Sequence, residues 1–322
     1  MNKTTLHNIR REIVLTLAYP FLWGMLLFLW LLPKAWRGGL IACCGKLYYR
    51  YGKKARLYAL DNLTLAYGNS RTPEQIERMA QEVFHNVAGA FIDFFATVLV
   101  NRPQRFFKMV TVRGENHLQE AFDRQRGVIC LIPHLSAWEL SAVTPGMLGF
   151  PTKAASKAIK SWCIQRTMVW FRARRGMYNF SRENSYQKLV ESLRQGDCII
   201  LMIDQDTKVK GCFVDFFGHQ AYTPLGAARL AMETGAAVVP MAMTRNGVAS
   251  FCFDILPELP LVDTGNREAD LVSNTQRQTT AMEQFIAQTP TQWVWMHRRW
   301  RTTPESLERY RQQKSRNQSA KL

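Results

Sequence analysis

The sequence predicts an α/β protein: a mostly parallel sheet covered by helices, preceded by an N-terminal membrane helix. Three observations carry that expectation. From Val128 onward, short apolar runs alternate with helical stretches, the pattern of strands joined by crossover helices. Residues 13–33 hold no charged side chain, and that length suffices to cross a hydrocarbon core. The chain is 322 residues long and 47% hydrophobic, enough to bury a real core in one large or two small domains.

The membrane segment comes first. Arg10 and Arg11 flank one end, Lys34 and Arg37 the other, with Trp30 and Trp36 near the interface. Lys3, Arg10 and Arg11 precede it, whereas Lys34, Arg37, Lys46, Arg50, Lys53, Lys54 and Arg56 follow. The positive-inside rule then places the main domain on the cytoplasmic side. Leu40-Ile41-Ala42-Cys43 resembles a lipoprotein cleavage box, but Lys34 and Arg37 separate it from the apolar run, which argues against export. Pro20 and the basic ends also permit a helix embedded in one leaflet.

Residues 38–60 read as a basic helix with Tyr48, Tyr49, Tyr51 and Tyr58 interleaved, suited to the domain surface or a membrane surface. Thr72-Pro73-Glu74-Gln75 is a helix start, with a cap, Pro at the first position and Gln at the third. The helix that follows turns apolar through Phe84, Val87, Phe91, Ile92, Phe94 and Phe95. Val110-Thr111-Val112 reads as a strand and 116–124 as a helix. Beyond Gly127 come strand 128–133, a helix from Ser136, strand 152–155, helix 158–171, strand 177–180, helix 184–194 and strand 198–203. Helix 224–234 stops at Gly235, strands follow at 237–243 and 250–255, and the last helix covers 269–288. The expected organisation is an anchor over 1–37, one α/β domain over 38–303 and a polar basic tail over 304–322.

Charge and cysteines narrow the class. Forty-two Lys plus Arg against 25 Asp plus Glu leave +17, which points to an anionic partner: nucleic acid, a membrane surface or a phosphorylated substrate. The seven cysteines show no C-x-x-C spacing, which suits reduced thiols rather than a disulfide or zinc framework.

The candidate chemistry begins where strand 128–133 ends, at His134-Leu135-Ser136-Ala137-Trp138-Glu139. Ligands in open α/β folds sit at such strand ends. On one continuous helix, positions five apart lie roughly 140° apart. His134 and Glu139 therefore meet only if the His is on the loop and the Glu one turn into the helix. The carboxylate would then fix one ring nitrogen and leave the other free to take a proton. A plainer reading is that Ser136 and Glu139 form a helix capping box.

A cationic run follows: Lys153, Lys157, Lys160, Arg166, Arg172, Arg174, Arg175 and Arg182. Most such charges form a solvated face, but Arg172, Arg174 and Arg182 bracket the strand at 177–180, and Arg forks suit phosphate oxygens. Asp204-Gln205-Asp206 directly follows strand 198–203. Such a pair serves a divalent metal in nucleotide-sugar glycosyltransferases, or pairs with nearby arginines. G-x-G-x-x-G, a P-loop, G-x-S-x-G and metal-spaced His pairs are all missing, and without G-x-S-x-G a serine acyl-enzyme is unsupported.

Five blocks in order resemble the membrane-anchored late acyltransferases of lipid A biosynthesis, within the glycerolipid and lysophospholipid acyltransferase superfamily. They are Asp61-Asn62-Leu63-Thr64-Leu65-Ala66-Tyr67, Pro133-His134-Leu135-Ser136-Ala137-Trp138-Glu139, Asp204-Gln205-Asp206, the stretch from Val214-Asp215-Phe216-Phe217-Gly218 to Thr223-Pro224-Leu225-Gly226, and Trp293-Val294-Trp295-Met296-His297-Arg298-Arg299-Trp300. Ser136-Ala137 stand where that family often has Gly-Asn, and the Pro-Glu-Gly-Thr-like block of glycerol-phosphate members is missing.

The resemblance implies a glycerolipid-acyltransferase-like fold and transfer of a fatty acyl chain to a hydroxyl of a lipid A precursor or related glycolipid. The donor would be an acyl thioester on acyl carrier protein or coenzyme A, a co-substrate, with no metal or other cofactor. His134 would be general base and Glu139 its orienting partner. Amides around Ser136 to Trp138 would meet the oxyanion. Arg172, Arg174 and Arg182 would hold phosphates, with Asp204 and Asp206 also in the substrate site. The implied setting is the bacterial inner membrane, catalytic domain on the cytoplasmic side. Two rivals stand: a metal-dependent glycosyltransferase using Asp204 and Asp206, and a basic membrane module whose aromatics around Trp295 to Trp300 stack bases. The latter leaves the His134 block and the carboxylate pair without a role, so nucleic acid is not an expected partner.

Overall fold

The computed structural model describes residues 19–159, 161–181, 185–207 and 209–309. Helical residues 19–31 (α1) lead into α2 (Lys34–Tyr51), α3 (Lys53–Tyr67), α4 (Pro73–Thr97) and a short α5 (Pro103–Phe106). Then come β1 (Val110–Arg113), α6 (Glu115–Asp123), β2 (Val128–Leu131), α7 (Trp138–Met147), β3 (Thr152–Ser156), α8 (Trp162–Ala173), β4 (Met177–Ser181), α9 (Tyr186–Arg194) and β5 (Cys198–Leu201). A hairpin of β6 (Gly211–Phe216) and β7 (His219–Pro224) precedes α10 (Gly226–Thr234), β8 (Ala237–Gly247), β9 (Ser250–Ile255) and α11 (Arg267–Gln288).

Seven strands form one sheet in the order β1-β9-β8-β2-β5-β3-β4, and every neighbouring pair is parallel except β8 with β9. The expected strand–helix alternation thus gives the expected sheet. Val128-Ile129-Cys130-Leu131 is buried throughout because both faces of β2 are covered. Val128 and Cys130 pack with Leu140, Val143 and Phe171 on one side. Ile129 and Leu131 pack with Leu189, Val190, Ala227, Leu230 and Met282 on the other. This period-2 division is what a strand central to a two-faced core requires.

The order of strands also fixes where a site can form. The chain leaves β2 through α7 toward β3, whereas it leaves β5 through α10 toward β8, the opposite direction along the sheet. Neighbours β2 and β5 therefore straddle a topological switch point, where a crevice opens beyond the carboxyl ends of the strands.

Several expectations change. The stretch 38–60 is not one helix but parts of α2 and α3, broken at Gly52, whose N–H bonds to the Tyr48 carbonyl at 2.8 Å. A Cβ at Gly52 would lie 2.6 Å from that oxygen, so only glycine fits the turn. The turn folds α3 back onto α4, where Ala59 and Leu63 meet Ile76, Ala80, Val83 and Phe84. The 37/38 boundary falls inside α2. The strand at 250–255, whose alternating pattern suits an edge or antiparallel strand, is antiparallel to β8, and β1 covers its other side, so it is interior.

The expected membrane-spanning helix finds no support. Among the described residues no helix is long and apolar enough to cross a membrane. Residues 13–18 of the expected span, and 310–322 of the expected tail, lie outside the described residues. One side of α1 is committed to the domain: Leu26 packs with Phe94 and Val98, and Leu29 with Ile41, Ile92 and Ala96. Phe21, Leu27, Phe28 and Leu31 remain exposed on the same helix.

Candidate active site

Strands β2 and β5 pair with Leu131 opposite Leu201. Three residues past each partner come His134 and Asp204, so equal offsets from a shared register bring the two side by side. His134 Nδ1 meets Asp204 Oδ1 at 2.7 Å, and the His134 backbone N–H donates to Asp204 Oδ2 at 2.6 Å. Trp293 Nε1–H donates to the same Oδ2 at 2.8 Å. An ionised carboxylate can only accept, so Nδ1 is the protonated ring nitrogen and Nε2 is left as the acceptor.

The electrostatics agree with that assignment. Burial alone would push Asp204 up, but the His134 imidazole and the hydrogen bonds from His134 and Trp293 outweigh it and hold the carboxyl below its usual range. Burial disfavours the His134 imidazolium, yet the Asp204 charge, its hydrogen bond and the more distant Glu139 charge raise the pKa above the ordinary 6.5. The pair is thus suited to stabilising a proton gained at Nε2.

Glu139 is placed differently from the expectation. Its carboxylate accepts from Arg172 Nη2 at 2.8 and 2.9 Å and from Arg172 Nε at 3.1 Å, and Arg172 Nη1 donates to Ser156 Oγ at 3.2 Å. The ring nitrogen that the sequence assigns to Glu139 is held by Asp204 instead. The capping box also fails to form: α7 is capped at Ala137 with no side-chain cap, while Ser136 sits at φ 50°. Ser136 N–H is taken by the Gln292 carbonyl at 2.8 Å, which removes that amide from the expected oxyanion site. The next amides, of Trp138 and Glu139, open α7, where the first N–H groups have no intrahelical acceptor.

The remaining candidates separate. Arg174 stacks over Trp170 at 5.5 Å, and Arg182 lies outside the described residues. Asp206 is buried and accepts from Arg301 Nη2 at 3.1 Å and the Thr302 N–H at 2.8 Å. Asp204 and Asp206 are therefore each saturated by protein donors instead of facing a substrate or a shared ion. Among the described residues no group of three or more His, Cys, Asp or Glu gathers with metal-ligand geometry. The expected cationic face is likewise partly internal: Arg175 is buried and donates to the Thr97, Val98 and Phe171 carbonyls, where burial pulls its pKa to about 9.

A cavity of about 830 Å³ opens at the switch point. His134 and Trp138 line it, their rings 5.8 Å apart, with Arg172 and Glu139 in the wall. Its apolar lining includes Ala142, Ala154, Met177, Leu189, Ile200 and Leu225, which suit an apolar chain, and polar and charged side chains line the rest.

Trp293 is the site residue for which the sequence assigned no role, although it lies in one of the resembling blocks. Its segment is clamped from several sides. Leu135 and Trp293 form a β-bridge, and Asn62 Nδ2 donates to the Trp295 and His297 carbonyls, each at 2.7 Å. Buried Arg299 donates to the Tyr222 carbonyl at 2.7 Å. The first and last resembling blocks thus meet behind the His134–Asp204 pair.

Comparison with known proteins gives the family. The family model described as bacterial lipid A biosynthesis acyltransferase matches residues 9–302. The chain is 29% identical to a phosphatidylinositol mannoside acyltransferase of Mycolicibacterium smegmatis over 61% of its own length and 64% of the relative's, so that match spans less than two thirds of the relative. It is 23% identical to a lipid A biosynthesis acyltransferase of Haemophilus influenzae, covering 90% of this chain and 92% of the other. It is 27% identical to the lipid A biosynthesis myristoyltransferase of Escherichia coli, covering 83% and 81%. The chain belongs to the bacterial lipid A biosynthesis acyltransferase family, a family of O-acyltransferases.

Proposed function

We propose that this protein moves a fatty acyl chain from a thioester, carried by acyl carrier protein or coenzyme A, to a hydroxyl of a lipid A precursor or related anionic glycolipid. The observation that carries the reading is the His134–Asp204 pair at the edge of a deep, largely apolar cavity. His134 Nε2 takes the proton of the acceptor hydroxyl as its oxygen attacks the thioester carbonyl. A C–O bond forms, the C–S bond breaks, and the imidazolium returns its proton to the departing thiolate. Asp204 holds the ring's tautomer and stabilises the imidazolium while it lasts. The amides at the start of α7, Trp138 and Glu139, meet the oxyanion, where the helix dipole adds to their pull.

Glu139 and Arg172 act as a wall brace that keeps the cavity open beside the imidazole. The acyl thioester is the only co-substrate this chemistry requires. The exposed side of α1, with Phe21, Leu27, Phe28 and Leu31 beside Trp36, Lys34 and Arg37, lies on the bilayer that supplies the lipid. Such a site belongs at the inner membrane, facing the cytoplasmic thioester pool. The excess of positive charge favours the encounter with an acidic carrier or a phosphorylated lipid.

Incubation of the full chain with carrier- and coenzyme A-linked thioesters of graded length and with lipid A precursors tests this by mass spectrometry. A mass gain of one acyl group, matched by free thiol, is expected. Hexose gain from a nucleotide sugar, with thioesters untouched, would reverse the assignment.

A further inference from the structure

Cationic side chains line the same cavity as His134. Lys157, just beyond β3, Lys210, just before β6, Arg229 on α10 and Arg267, the first residue of α11, all line it. These four residues come from segments far apart in sequence, yet one cavity gathers them. The lining holds one carboxylate, Glu139, and Arg172 already neutralises it.

Counter-charge is scarce around these four. Among the described residues Lys157, Lys210 and Arg267 form no ion pair, and Arg229 approaches Glu233 only at 3.9 Å while half exposed. Arg229 stacks over the Tyr186 ring at 4.4 Å, and the Tyr186 hydroxyl donates to Glu233 at 2.6 Å, within electrostatic reach of Arg267 as well. Stacking holds one guanidinium plane in place, and two lysines add compact charge around it. Gathered like charges in a cleft concentrate anions there. Planar forks joined to point charges are the donor set that phosphate oxygens use. Of the arginines at 172 and 174, the first is engaged by Glu139 and the second lies outside the cavity lining, while Arg182 falls outside the described residues.

We propose that Lys157, Lys210, Arg229 and Arg267 form a phosphate-ester subsite of the same cavity, binding a substrate phosphate while the reacting atoms lie at His134. The identity of the ligand's reacting end rests on the acyl-transfer reading above. Two substrates carry such a group: the phosphopantetheine arm of the donor and the phosphorylated sugar of the acceptor. The chemistry of recognition is the same for both.

Two readouts decide it. Calorimetric titration of the full chain with inorganic pyrophosphate comes first, comparing wild type, the Lys210→Ala/Arg267→Ala double variant and a Lys53→Ala/Lys54→Ala control on α3. Saturable binding is expected in wild type and control, with affinity at least tenfold weaker in the double variant. Binding that is absent, or equally weakened in the control, overturns the subsite. Transfer kinetics follow, with acyl-coenzyme A against the phosphate-free acyl N-acetylcysteamine thioester, and phosphorylated against dephosphorylated acceptor. The double variant should raise KM about tenfold for whichever phosphorylated substrate uses the subsite, leaving kcat within twofold. An equal KM rise for the phosphate-free partners overturns the proposal. If wild type transfers no acyl group, the functional reading fails, and the pyrophosphate titration still decides the subsite.

Discussion

Two carboxylates beside the cavity pair with basic side chains, Asp204 with His134 and Glu139 with Arg172, and the hydrogen bonding of the two pairs differs. Glu139 accepts from two Arg172 nitrogens while Arg172 also reaches Ser156, so that pair is closed on both sides. A guanidinium has donors and no acceptor, so the pair braces the wall and offers no site to take up a proton. Asp204 is likewise saturated, by His134 and Trp293, but its partner is an imidazole with one nitrogen left over. Histidine changes charge near neutrality. Of two similar contacts, only the one with an unspent acceptor can do acid–base work. The bracing pair is separated by 33 residues and the working pair by 70.

Replacing His134 by Ala tests that distinction with the largest expected effect. Acyl transfer should fall by about 10²–10⁴-fold or more, the range for a positioned base, while circular dichroism and membrane association stay as in wild type. Full activity would remove the imidazole from the chemistry. Asp204→Asn should cost somewhat less, about 10²-fold, and should also move the pH profile. The base works when neutral, so activity should rise as pH climbs through a His134 pKa above 6.5. Without the Asp204 charge, burial prevails and the acid limb shifts to lower pH. The pair's stabilisation has the opposite sense: it is present below the ordinary His pKa and lost as pH rises through the raised one. Asp204→Asn should therefore flatten the stability profile across that window.

Glu139→Gln should lose roughly tenfold in transfer, on the order of one weakened charged hydrogen bond, and move the acid limb less than Asp204→Asn does. A larger limb shift for Glu139→Gln would exchange the roles of the two pairs. The smallest effect on transfer is expected from Trp293→Phe, which keeps the packing and removes one donor from a buried carboxylate. Urea denaturation should show a loss of about 1–3 kcal/mol, and an unchanged midpoint would mean that Trp293 serves packing alone.

What the sequence reveals here follows the range of the interactions. The Thr72 cap is readable because its partner is three residues away, and both hydrogen bonds of the Thr72–Gln75 box are present. His134 is readable as a strand-end residue. Its partner depends on β5 lying next to β2, which neither strand's residues specify, so the nearer Glu139 drew the assignment. Asp204 stands out in the sequence for its position, but its burial under three donors does not. The β6–β7 hairpin escaped because its turn is Phe217-Gly218, both at positive φ, where Asn-Gly is the usual signal. Arg175 looks like another surface charge, since no local pattern announces an arginine that turns inward to donate to the carbonyls at the end of a helix.

Trp293 comes 89 residues after Asp204, the carboxylate it braces. A growing polypeptide that has already made β2 and β5 still lacks the indole N–H over Asp204 and the Leu135 bridge. Competence therefore waits for the segment around Trp293, well after the two strands that position the pair have been laid down. A nascent chain holding an acyl thioester in an unfinished site is poorly equipped to misdirect it to water.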